Sequence, residues 1–122
     1  MATDREIEIF IGDSFTSIWD LELLTALLEH PEGTRAAELI ERMRSSELVV
    51  ARGIETLVAA GMAATEGDGR LHFRPVNEAV GQCARKACEF YGRFPGRARR
   101  LIVARQTPGL NAFADAFRLR KD

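Results

Sequence analysis

The 26 residues from Ala37 to Met62, AELIERMRSSELVVARGIETLVAAGM, constrain this chain more than any other stretch. Leu39, Ile40 and Met43 give a short helix one apolar face, and Ser45-Ser46 then offer hydroxyls that can cap the free N–H groups of a second helix. Val50, Ile54, Leu57 and Val58 recur at helical spacing, so the second helix packs by that side and stops at Gly61. Thr65-Glu66-Gly67-Asp68-Gly69-Arg70 reads as a glycine-rich hairpin turn. Beyond it Leu71 and Phe73 alternate with Arg70, His72 and Arg74, as in a strand with one apolar side.

Helix, turn, helix and a two-stranded ribbon is the order in which this stretch resembles the winged helix-turn-helix of bacterial MarR-like regulators, over roughly residues 16–75. The resemblance implies a mainly α fold with a small β-wing and extra C-terminal helices. It also implies a DNA-binding transcriptional regulator that works as a homodimer on double-stranded DNA. In that family the second helix enters the major groove and the wing touches backbone or minor groove. The positions implied here are Arg42, Arg44, Ser45, Ser46, Val49, Arg52, Thr56, Arg70, His72 and Arg74. Arg52 is the guanidinium that would read a base, and the turn and wing residues would hold phosphates.

The outward face of the second helix departs from the family pattern. Leu48, Val49 and Ala51 stand where related regulators place polar side chains, and Glu47 and Glu55 would repel phosphate. An alternative reading follows: a protein-interaction module that regulates a partner through an apolar patch of Leu48, Val49 and Ala51. Bland roles also stand. Arg42 and Arg44 can be solvated surface, Arg52 can pair with Glu47 or Glu55, and a histidine on a wing is more often surface than switch.

Charge is uneven. Residues 1–68 carry 14 acidic and 5 basic side chains and residues 69–122 carry 4 and 12, although the whole nets −1. The basic half would serve a nucleic acid, or the two halves attract each other. At 122 residues the chain suits one domain with a single core. We divide it into an N-terminal strand or arm (1–15), the winged core (16–75) and a C-terminal helical extension (76–122).

Ile7, Ile9 and Ile11 alternate with Glu6, Glu8 and Phe10, which predicts a strand turning at Gly12-Asp13-Ser14. Ser17 starts a helix with Asp20 as a capping-box acid and a stripe of Ile18, Leu21, Leu24 and Leu28. Pro31-Glu32-Gly33 ends it and Thr34 caps the next. Pro75 opens a longer helix with Val76, Val80, Cys83, Ala84, Ala87, Cys88 and Tyr91 on one side, as core or as a homodimer seam, until Gly92 and Phe94-Pro95-Gly96 break it. A basic segment with Arg97, Arg99, Arg100 and Arg105 follows, then a short helix striped by Leu110, Phe113, Ala114 and Phe117.

An apolar run long enough to span a membrane and a signal-peptide start are both missing, so a cytoplasmic location is expected. Cys83 and Cys88 on one helix point about 140° apart at about 100° per residue, which argues against a local disulfide. With His30 and His72 at unrelated spacings, neither a metal nor a cofactor is expected. Ser-His-Asp spacing, phosphate loops and HExxH helices are absent as well, so catalysis is not expected.

Overall fold

The computed structural model describes residues 3–106. Six α-helices and one antiparallel hairpin follow in the order α1 (Asp4–Ser14), α2 (Ile18–Glu29), α3 (Ala36–Met43), α4 (Glu47–Ala59), β1 (Ala63–Thr65), β2 (Leu71–Phe73), α5 (Glu78–Arg93) and α6 (Pro95–Gln106). The fold is mainly helical with a small two-stranded sheet, paired Ala63 to Phe73, Ala64 to His72 and Thr65 to Leu71. None of the described helices is long and apolar enough to cross a membrane.

The alternation at residues 7–11 predicts a strand, and the structure has a helix there instead. Isoleucines at 7, 9 and 11 satisfy two periods at once. Ile7 and Ile11, four residues apart, are buried together, while Ile9 is exposed. Thr3 caps this helix by accepting the Glu6 N–H at 3.2 Å, and Asp4 and Glu6 sit in the first turn, where the helix dipole favours acids.

Helix α2 is the centre of the molecule. It touches α3, α4, β2, α5 and α6. Its stripe is therefore wider than Ile18, Leu21, Leu24 and Leu28: Leu21, Leu23, Leu24, Ala26 and Leu27 are buried, and Ile18 and Leu28 only partly so. The expected capping box at its start is present, with Ser17 and Asp20 exchanging backbone bonds. Thr34 does not cap α3. The N-cap is Arg35, without a side-chain bond, and Thr34 instead exchanges both backbone hydrogen bonds with Leu71 at 2.9 and 2.8 Å.

Asn77, two residues beyond Pro75, caps α5 by accepting the Val80 N–H at 2.9 Å. Val76 lies outside that helix and is exposed, whereas Gly81, Ala84 and Ala87 are buried, Gly81 beneath Pro75. Helix α5 packs on α1, α2 and α6, so this much of its apolar side is core. Both cysteines are free and half-buried, and burial pushes the Cys88 thiol up to about 11. Gly92 stays inside the helix, and Phe94 ends it. The basic segment is itself helical: Pro95 occupies the first position of α6, where its missing N–H costs nothing, and Ala98 and Ile102 bury one side. Arg97 pairs with Glu8, tying α6 to α1. The short helix expected around Leu110 to Phe117 lies outside the described residues.

Tyr91 ties α5 to α2 by donating its hydroxyl to Glu22. Burial, then the Glu22 carboxylate, pushes its pKa up to about 12. Neutral phenol is the form the fold favours, so its contribution is complete below pH 10 and disappears as the pH rises through about 12. This is the chain's single tyrosine, and an ultraviolet titration should show it ionising near 12 in the folded protein. An onset near the ordinary value would show that the tie is open in solution.

Candidate nucleic-acid interface

Helices α3 and α4 are joined by a turn of one unusual residue. Arg44 adopts the left-handed conformation, φ 50° and ψ 46°, which costs a non-glycine residue about 1–2 kcal/mol. Its N–H donates to Glu41 O at 3.2 Å, and that of Ser45 to Ile40 O at 3.2 Å, so the spent carbonyls of α3 are satisfied as the chain reverses. Ser46 then caps α4, its hydroxyl accepting the Val49 N–H at 3.1 Å.

Helix α4 buries Val50, Gly53 and Leu57 against α2. Gly53 sets the approach: a Cβ there would lie 3.1 Å from Leu23 Cδ2 and 3.4 Å from Asp20 Oδ1. The opposite face presents Glu47, Leu48, Ala51, Arg52 and Glu55, with Leu48 59% exposed. Val49 is half-buried. Thr56 turns toward the start of α2, its hydroxyl donating to Arg52 O at 3.1 Å and lying 3.4 Å from that of Thr16.

The hairpin that follows has two faces. Leu71 is buried toward the core, whereas the period of two puts Glu66, Arg70, His72 and Arg74 on the other side. That side is not open. The Arg74 guanidinium donates to both carboxylate oxygens of Glu66, Nε to Oε2 at 3.2 Å and Nη2 to Oε1 at 2.8 Å. Arg70 Nη1 donates to Gly33 O at 3.3 Å. His72, expected on the surface, is only 6% exposed because the α2–α3 connection covers it at Gly33. Its Nε2 lies 3.2 Å from Asp68 Oδ2 and 3.4 Å from Glu66 Oε1, and its Nδ1 is buried without a partner. Asp68 also accepts the Arg70 N–H at 2.9 Å. That backbone bond first, then His72, holds its carboxyl below the usual range.

The sequence-predicted residues therefore separate into two sets. Arg44 and Arg52 lie exposed on the turn and on the outward face of α4, and neither has an ion-pair partner among the described residues. The pairing of Arg52 with Glu47 or Glu55 does not form. Arg42 reaches back to His30, and Arg70, His72 and Arg74 are engaged within the hairpin and its cover. The open basic wing anticipated from sequence is thus corrected to one whose side chains are engaged: Glu66 holds Arg74, Glu66 and Asp68 lie against His72, and the Gly33 carbonyl holds Arg70. Glu66, Asp68 and Gly33 are the residues that sequence reasoning missed. The hairpin register would have found the first, since it puts Glu66 on the same face as Arg74. Nothing in the local pattern announces that Gly33 covers His72.

Among the described residues no group of His, Cys, Asp or Glu side chains is arranged to hold a metal ion. No known family profile, curated protein or solved structure matches this chain.

Proposed function

We propose that the protein is a winged helix-turn-helix regulator that binds double-stranded DNA with α4 in the major groove. The observation that carries this reading is the pair of unpartnered guanidiniums, Arg44 at the turn and Arg52 on the outward face of α4. Arg44 lies just before the start of α4, where the helix dipole favours anions, and Arg52 stands in its second turn. The order α2, Thr34–Leu71 bridge, α3, α4, hairpin supports it, since it seats α4 against α2 with one face free. Arg44 holds phosphate and Arg52 reads a base edge, with the hairpin in a lesser role than its sequence suggests.

The test is capture of fragmented genomic DNA by the purified protein, followed by affinity and salt dependence on a captured site. Arg52→Ala should cost about 1–3 kcal/mol, roughly five- to 150-fold in affinity, and relax the preference at one base pair. Arg44→Ala should weaken all sequences alike and lower the salt slope by about 1. No enrichment by the wild-type protein, or two silent variants, overturns the reading.

One observation favours a second reading. Leu48 stands 59% exposed between Glu47 and Glu55 on the same face, a surface better suited to a protein partner than to phosphate. Under this reading Leu48→Asp abolishes partner binding, and Arg52→Ala leaves it intact. Val49 and Ala51 contribute less, Val49 being half-buried.

A further inference from the structure

The hairpin carries two arginines and two acids, so its formal charge is zero with His72 neutral. The Arg74 charge is paired within it, and the Arg70 guanidinium is bound to a backbone carbonyl. Glu66 takes the fork of Arg74 on both carboxylate oxygens and also lies within 3.4 Å of His72 Nε2, while Asp68 meets His72 from the turn. His72 in turn is held under Gly33, and Arg70 is bound to the Gly33 carbonyl, so the acids at the tip are fixed to a buried anchor. An arginine clasped in this bidentate way presents little net field to a phosphate, because each of its two best donors already faces an anionic oxygen.

We infer that Glu66 is an internal competitor for DNA phosphate: it latches Arg74 in a closed hairpin, and the hairpin engages the nucleic acid only when phosphate displaces Glu66. The inference rests on the DNA-binding reading above. It assigns the hairpin a regulatory part in that reading, limiting non-specific attraction so that α4 dominates recognition. The latch is solvent-accessible on both sides, so its strength is that of a good surface pair and phosphate can exchange with it.

The experiment is a double-mutant cycle on binding of the full chain to a captured DNA duplex, using wild type, Glu66→Gln, Arg74→Ala and the double variant. Glu66→Gln is expected to tighten binding about fivefold and steepen the salt slope by about 1, as one more phosphate contact would. Arg74→Ala is expected to change wild-type binding less than about twofold and to erase the gain in the Glu66→Gln background. Glu55→Gln on α4 changes the net charge equally and serves as the control, and its effect should be independent of Arg74. A Glu66→Gln gain that survives Arg74→Ala would reduce the effect to bulk charge and overturn the latch. So would an Arg74→Ala loss as large in wild type as in Glu66→Gln. In both cases wild-type binding persists, which separates failure of the latch from failure of the DNA reading, where no variant binds. Glu66→Ala, with a thermal melt alongside, guards against a glutamine that still accepts from Arg74.

Discussion

Replacing Gly33 with alanine is expected to lower the unfolding free energy by about 2–5 kcal/mol, from two independent costs. The backbone at Gly33 has φ +91°, a conformation an L side chain rarely adopts, and a Cβ there would lie 2.5 Å from two atoms of the His72 ring and 2.9 Å from Arg70 Cβ. The ring cannot swing out without breaking its contacts with Asp68 and Glu66, and Arg70 Cβ is fixed to the strand. Urea denaturation measures the loss. Adding His72→Ala should recover part of it, because the ring clash goes while the backbone strain and the Arg70 contact stay. A single-variant loss under about 1 kcal/mol would mean that the connection between α2 and α3 does not press on the hairpin at all.

Asp20→Ala is expected to cost about 3 kcal/mol. One carboxylate oxygen, Oδ2, accepts from Thr16 N at 2.7 Å, Thr16 Oγ1 at 2.9 Å and Ser17 N at 3.1 Å, and the residue is 2% exposed. Truncation leaves three donors competing for what solvent reaches them, and charge-assisted bonds are the costly ones to lose. Asp20→Asn keeps an acceptor in place and should cost less. Calorimetry on the two variants checks the order; equal melting temperatures for wild type and alanine would show the cap to be dispensable. The effect bears on the proposed function, because Asp20 also stands against Gly53 and helps to fix where α4 lies on α2.

Much of the helical middle was legible from residues alone. The helix from Ser17, the pair around Ser45-Ser46 and the turn at Gly67 to Gly69 each carry a local signal that packing then agrees with. The alternation of three isoleucines fits a strand, and the Thr3 cap together with contact with α5 and α6 chooses the helix. Helix α6 was hidden by its arginines, with two buried positions among many charges. The site was legible in part: Arg44, Arg52 and Leu48 stand exposed as their spacing implies. The fate of Arg70, His72 and Arg74 was not, because it depends on Gly33 and on acids across the turn, and such pairings appear only once the hairpin closes.

Helix α2 is in contact with α3, α4, β2, α5 and α6, and of its residues only Trp19 and Glu29 are exposed. It is the element on which α4 is seated from one side and α5 and α6 from another, so a substitution in its core positions, Leu23 against Gly53 among them, disturbs the seats of all three helices at once.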